Sequence, residues 1–346
     1  MKRIIHELPN GYRRTIVDLT QENLEGWDVE LLRKDNDSGE LKLTICDANP
    51  EFDKLCTMRS ALVVMDDERE IWRGRVTEQR LIQYWQKKIV CKGLMDYLYD
   101  AVILPQALEG SAESVLSALI AQFNAKVELH KRFAVGAVLG ISDIHYEIRS
   151  PQKCFKILSD LADEFGGSLK AYRDGDSNVI EWRAEAAAYR PACSQKAVFG
   201  ENVSKLDILI DGDDIATVLI GRGKNELQCS VQDDEAVLQF GIIEDVESFS
   251  DIEDLETLQS QTKAALQERI KEVRSIHATA LDRSAVDPSF EPYEEGCYVR
   301  LISEPHGIDE MVLINEITDP IFRPSRLQAT LGASLAAASS IMRRVI

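Results

Sequence analysis

Short alternating runs dominate the first hundred residues. Trp27–Lys34 (WDVELLRK) and Glu40–Cys46 (ELKLTIC) put apolar side chains at every second position, the period of a half-buried strand. Ala61–Met65 is a continuous apolar run, Asp66-Asp67 supplies a turn, and Glu70–Leu81 is the return strand. On that return Ile71, Arg73, Arg75 and Thr77 share one face, and Trp72, Gly74, Val76 and Glu78 the other. Trp85–Leu94 gives a further strand, and Asn10-Gly11 is a tight-turn pair. Five or six short strands joined by short turns predict a small barrel or sandwich. Leu94–Ala101 (LMDYLYDA) reads as one or two helical turns.

The period then lengthens. Val115, Leu116, Leu119, Ile120 and Phe123 form one helical stripe, with Ser111 placed to cap the helix 111–123. A strand is expected around Val127 and Leu129, a flexible connection over Phe133–Gly140, and a strand over His145–Ile148. A second helix has Ser150 as cap, Pro151 in its first turn and Gly166-Gly167 at its end, with Cys154, Ile157, Leu158, Leu161 and Phe165 inward. The hairpin Ser168–Tyr172, Asp174–Asp176, Val179–Arg183 closes an α+β module.

Beyond it lie apolar strands at Leu206–Ile210, Ala216–Ile220 and Leu227–Val231. Ser250–Arg274 reads as one long helix, opened by the capping box Ser250–Glu253, acidic in its first turns and basic in its last. Strands are expected at Ile276–Leu281, Tyr298–Ser303, Met311–Ile317 and Leu327–Leu331, with a short helix at Leu335–Arg344. The pattern predicts an α+β, β-rich fold: two small β-barrel domains, an α+β insertion and an additional helical segment. The expected boundaries are 1–104 for the first barrel, 105–194 for the insertion, 195–232 for return strands, and 233–346 for the second barrel with the helix 250–274.

Charge adds a constraint. The 346 residues carry a formal charge of −19, from 40 basic and 59 acidic groups. Residues 1–104 hold 16 basic and 19 acidic groups, 105–194 hold 10 and 12, and 195–346 hold 14 and 28. Such a balance argues against a protein that grips a nucleic-acid backbone, which needs Lys and Arg. No run of about 20 apolar residues is present to span a membrane as a helix. The start MKRIIHELPNGYRR lacks the apolar core of a signal peptide. The seven cysteines are scattered without a CxxC pair and read as reduced, mostly buried thiols.

Local motifs nominate no reaction. The five histidines have neither HExxH nor HxH spacing, and GxSxG is missing. Gly221-Arg222-Gly223-Lys224 is too short for a phosphate loop and ends at Asn225 where a hydroxyl is required. Asp207–Asp214 is acidic with the wrong spacing for a calcium loop. No catalytic, metal or cofactor site is expected; the residues describe an assembly or binding protein.

Four stretches resemble the phage tail hub family, which covers the amino-terminal part of siphophage tail-associated lysin (tail endopeptidase-like) proteins and the baseplate hubs of contractile tails. They are Ile71–Val76 around Gly74, Gly93–Leu98, the two helices of the middle region, and Phe199-Gly200-Glu201-Asn202-Val203 followed by Asp213-Asp214-Ile215-Ala216-Thr217. Asp319-Pro320 to Leu331-Gly332 is similar to a last barrel strand. The resemblance implies structural motif positions at Gly74, Gly93, Phe199, Gly200, Glu201, Asn202, Asp214, Ile215 and Gly332.

It further implies a homotrimeric ring, two barrels per copy, that joins a hexameric tail tube to a tip or spike. Its implied partners are a tail tube or distal tail protein, a tip, spike or fibre protein, and a tape measure protein. DNA would pass through without specific binding, and the acidic 195–346 region would repel it if it lined the channel. The implied location is the virion tail, assembled in the host cytoplasm without a membrane or cofactor. Lysin-bearing relatives add a hydrolase after the hub, and a chain ending at Ile346 is not expected to carry one. The alternatives are the hub of a phage-derived contractile injection or bacteriocin particle and, from another class, a peptidoglycan hydrolase with an unrecognised site. A carbohydrate-binding receptor would need more than the 7% aromatic content found.

Overall fold

The structure is a computed structural model that describes residues 2–83, 85–186, 188–270 and 273–332. The chain divides into two compact units, one formed by residues up to Lys205 together with Ala278–Gly332, the other by Leu206–His277. Thirteen strands build the main sheet. They are β1 (Lys2–Glu7), β2 (Arg13–Val17), β3 (Trp27–Lys34), β4 (Glu40–Cys46), β5 (Ala61–Asp66), β6 (Arg69–Ile82) and β7 (Gln86–Gly93). After a long interruption come β8 (Ala197–Val198), β9 (Val203–Asp211), β10 (Val273–Leu281), β11 (Tyr298–Ser303), β12 (Ile308–Asp319) and β13 (Gln328–Leu331). The order is β9-β10-β13-β12-β3-β4-β7-β6-β5-β1-β2, with β11 also paired to β12 and β8 to β11.

Alternation explains the first half. Leu41, Leu43 and Ile45 of β4 point inward with Leu31, Leu62, Val64, Val76 and Ile89, while Lys42 and Lys88 stay wet. Each such side chain contributes about 1.5–3 kcal/mol when fully buried. The strand order is an open path, so the two expected barrels are two halves of one continuous sheet, and no closing strand pair occurs among the described residues.

The middle region packs a separate set of side chains. Helix α1 (Ala112–Asn124) is capped by Ser111, whose side chain accepts the Ser114 N–H. Helix α2 (Cys154–Phe165) starts three residues after Pro151, because Gln152–Lys153 first pairs with Val102–Ile103. Leu94–Asp100 is a 3-10 helix whose Leu94, Met95 and Leu98 join Leu116, Phe123, Leu158 and Trp182 in this core. Two expectations fail here. Phe133–Leu139 is a strand parallel to Ser177–Arg183, not a flexible connection. Leu129–Lys131 is a 3-10 turn, not part of a strand.

The Leu206–His277 unit has a sheet ordered Gln228–Gln232, Val218–Arg222, Glu244–Ser248, with Ala216, Leu219 and Leu266 buried together. Helix α3 (Asp234–Phe240) was not expected. The expected helix 250–274 is shorter: helix α4 covers Leu255–Arg269, and β10 already begins at Val273. Asp254 is its cap, accepting the Thr257 N–H at 2.8 Å, so the box at Ser250 is not used. The expected helix at Leu335–Arg344 lies outside the described residues.

Candidate assembly surface

The two halves of the main sheet repeat one another. The first half runs β3-β4-β7-β6-β5 and the second β9-β10-β13-β12-β11; beyond them β1 pairs antiparallel with β5, whereas β8 pairs parallel with β11. In the first, Val76 faces Cys91, the register then slips at a bulge, and Glu78, Gln79 and Arg80 face Val90, Ile89 and Lys88. In the second, Ile314 faces Leu331, a bulge follows, and Glu316, Ile317 and Thr318 face Thr330, Ala329 and Gln328. The strands before them match as well: β5 and β6 pair through Ala61 and Arg75, β11 and β12 through Tyr298 and Leu313. A bulge at the same place in two ladders is a designed feature of a strand, since it bends and twists the pair locally.

The halves meet where β12 pairs antiparallel with β3: Glu316 opposite Lys34, Ile317 opposite Arg33, Thr318 opposite Leu32, Asp319 opposite Leu31. Ion pairs bracket this seam, Lys34–Glu316 at 3.2 Å, Arg33–Glu295 at 3.0 Å and Lys2–Asp319 at 2.5 Å. The first of them is only half-buried and adds at most about 1 kcal/mol, so backbone pairing and the buried Leu31 and Ile317 carry the seam. A concave groove of about 960 Å³ lies beside it, lined by Trp27, Lys42, Arg80, Lys88, Phe322 and Arg326 among others.

The motif residues of the sequence do not gather in one place. Gly74 and Gly93 oppose each other across β6 and β7. A Cβ on Gly93 would stand 1.8 Å from the Ser38 carbonyl, and one on Gly74 2.4 Å from that of Lys92, so both positions exclude any side chain. Phe199, Gly200, Glu201 and Asn202 form the turn from β8 into β9. Phe199 is 41% exposed, its ring edge-on to His306. Glu201 pairs with Arg283. Asp214 is exposed and Ile215 buried in the other unit. Gly332 follows β13 with φ of 78° and donates its N–H to the Leu313 carbonyl at 2.7 Å.

Sequence reasoning missed the buried polar residues. Arg190 donates to Asp35 at 2.8 Å and to Ser168 Oγ at 2.7 Å, tying the end of β3 to the hairpin 168–183. His6 lies between Glu51 and Ser60, its Nδ1 2.7 Å from Glu51 Oε2 and its Nε2 2.7 Å from Ser60 Oγ. The arrangement has the outline of a hydrolase relay, but Ser60 and His6 are 0% exposed and Glu51 2%. A nucleophile needs a reachable hydroxyl. Ser60 Oγ instead accepts the Cys56 N–H at 2.9 Å, and Tyr12 and Lys54 donate to the other Glu51 oxygen at 2.7 and 3.0 Å. The network is a satisfied polar clamp that pins β1 to the loop before β5.

Burial pushes the Glu51 carboxyl up, but hydrogen bonds from His6, Tyr12 and Lys54 outweigh it and hold the group below its usual value of 4.5. A carboxyl lowered on folding stabilises the fold above the unfolded value and loses that contribution as pH falls through the folded one. Glu51→Gln is therefore expected to cost about 1–3 kcal/mol at neutral pH. In urea titrations across pH, its deficit against the parent should shrink below about pH 4.5. A deficit that stays constant there would contradict the clamp.

A family described as "Prophage endopeptidase tail" matches residues 197–342, the stretch that holds β8 to β13 and the inserted unit. The tail protein from Neisseria meningitidis MC58 superposes with a TM-score of 0.60 at 14% identity, over 96% of this chain and 97% of that one. The fold is that of phage tail proteins. A prophage tail protein from Listeria monocytogenes EGD-e is similar at TM-score 0.59 and 16% identity, over 99% and 98% of the two chains. The 43 kDa tail protein of prophage MuSo2 from Shewanella oneidensis gives 0.60 and 14%, over 95% and 97%. No curated protein sequence matches. The resemblance to phage tail proteins carried by the sequence thus holds across the whole fold.

Proposed function

We propose that this chain is a structural hub of a phage tail, three copies of which form a ring that joins the six-fold tail tube to a tip or spike and leaves a channel for DNA. The carrying observation is the internal repeat: two halves that share the order of five strands, and the register and bulge of the β6–β7 and β12–β13 ladders, let each copy occupy two of six similar places. A ring of three then matches a hexamer through similar contacts. Its partners in this reading are a tube or distal tail protein above, a tip, spike or fibre protein below, and a tape measure protein in the channel, all within the virion tail after assembly in the host cytoplasm. The motif positions Gly74, Gly93, Phe199, Gly200, Glu201, Asn202, Asp214, Ile215 and Gly332 serve the fold of the copy rather than a reaction. In this reading the chain has a structural role, and the Ser60, His6 and Glu51 grouping, sealed from solvent, belongs to the fold rather than to a reaction.

Leu206–His277 holds 17 acidic and 6 basic groups, most of the excess within residues 195–346. The acidity is concentrated in this segment, which also takes in parts of β9 and β10. That charge supports passage of DNA without adhesion, because phosphate binding requires cationic contacts. Light scattering is expected to give the mass of three chains for the purified protein alone, or of three chains plus the bound partner when a tube protein is present. The same material should leave the gel mobility of duplex DNA unchanged at low salt. A monomer under both conditions, or retained DNA, would overturn the corresponding part.

A further inference from the structure

The main sheet ends in two places that the repeat relates to its own seam. At one end β9 is the last strand of the order. At the other, β6 is covered on its β5 side only as far as Arg75, and its continuation over Glu78–Ile82 has a strand neighbour, β7, on one side alone among the described residues. In the second half the matching part of β12, Glu316–Asp319, is also bare of β11, and there β3 fills the place. The counterpart of β3 in the repeat is β9. Leu281 N–H donates to the Asn202 carbonyl and Ser204 Oγ to the Thr279 carbonyl, so the register runs on to set Lys205 opposite Ala278. Leu31 holds the same place opposite Leu41, as Leu41 faces Cys91 and Ala278 faces Leu331.

We infer that a second copy of this chain docks edge to edge on the first, with Glu78–Leu81 of β6 pairing antiparallel with Lys205–Ile208 of the neighbouring copy's β9. Leu81 then lies opposite Lys205 and Glu78 opposite Ile208, as Asp319 lies opposite Leu31 and Glu316 opposite Lys34 in the internal seam. This rests on the ring reading above and names its contact. Backbone N–H and C=O groups supply the attraction, as in any strand added to an open edge. Exposed apolar side chains supply the rest: Leu81 is 68% exposed and Trp85 75% at the end of the β6–β7 hairpin, and Ile210 61% on β9. Such groups on a sheet edge are a liability in a lone chain and a reason for association in a ring. The two edges differ, so the contact is head-to-tail and propagates until it closes.

Disulfide trapping tests the register. Leu81→Cys and Lys205→Cys are made singly and together, with Gln79→Cys plus Lys205→Cys as a pair displaced by two residues. Directly opposed strand residues sit at about 4.5–5.5 Å between Cα atoms, within the reach of a disulfide. After mild oxidation the mixed single variants should give linked pairs, and the double variant linked sets of three, above the background of the parent with its exposed Cys56. Assembly to the mass of three chains with the displaced pair linking as well as the opposed one would overturn the edge pairing and leave the ring. No such mass under any condition would overturn the ring, and the pairing with it.

Discussion

Replacing Arg75 with alanine is expected to remove about 3–5 kcal/mol of folding stability, a large part of the whole for a domain held by about 5–15 kcal/mol. The Arg75 side chain is 3% exposed and lies under the 3-10 helix Leu94–Asp100. Its Nε donates to Asp96 Oδ2 at 2.6 Å, one terminal nitrogen to both Asp100 oxygens at 2.8 and 2.7 Å, and the other to the Asp96 carbonyl at 2.9 Å. Removing the cation leaves two largely buried carboxylates with one remaining cation, Lys131, which reaches only Asp100. Lysine at position 75 should rescue little, because its three donors cannot reproduce a planar fork held at both ends. Arg80→Ala on the same strand is the contrast: its guanidinium is 70% exposed, and the change should stay within about 0.5 kcal/mol. Urea midpoints of the three variants check the order. An Arg75→Ala loss as small as that of Arg80→Ala would mean that the 3-10 helix is held by its apolar contacts alone.

The contrast between these arginines marks what a sequence reveals. Trp27–Lys34, Glu40–Cys46 and Tyr298–Ser303 occupy the same residues in the structure as in the alternation of the sequence. One side of each strand is buried and the other wet, so side-chain polarity records the fold directly. Phe133–Leu139 escaped that reading because Gly136 interrupts it and Gly140 follows it. Gly136 is small for a packing reason: a Cβ there would come within 2.7 Å of Glu181 and 2.8 Å of Val179, on the parallel strand beside it. The helix 250–274 was overdrawn because Ser250 and Asp254 both suit a cap and only the fold decides between them.

The repeat itself left little trace in the amino acids. Ile89, Val90 and Cys91 correspond to Ala329, Thr330 and Leu331, sharing a ladder position but no chemistry that a reader of one chain would align. An insertion hides it further, since the Leu206–His277 unit separates β9 from β10, whose counterparts β3 and β4 are joined by a short turn. The ion networks are illegible for a related reason. Arg190 and Asp35 are 155 positions apart, and Lys2 and Asp319 317 apart, and nothing local announces such a meeting.

Asn202 is the case where one residue joins the levels, and Asn202→Ala is expected to cost about 3 kcal/mol or more by orphaning several buried groups at once. The amide is 4% exposed. Its oxygen accepts the Val198 N–H at 2.8 Å, and its nitrogen lies 3.2 Å from the Lys196 carbonyl and 3.1 Å from both the Leu281 carbonyl and the Tyr293 hydroxyl. It thereby fixes the turn from β8 into β9 and ties that turn to the end of β10. Aspartate has the same outline and can still accept from Val198, but it has no N–H to offer the carbonyls, so Asn202→Asp should be little better than alanine at neutral pH. Because β9 is the last strand of the sheet, loosening its start should also weaken the proposed ring, and, if the parent assembles as proposed, scattering by the variant should fall toward the mass of one chain at concentrations where the parent gives three. A variant that unfolds as readily as expected yet assembles like the parent would separate the turn from the edge, and place the contact between copies elsewhere on the sheet.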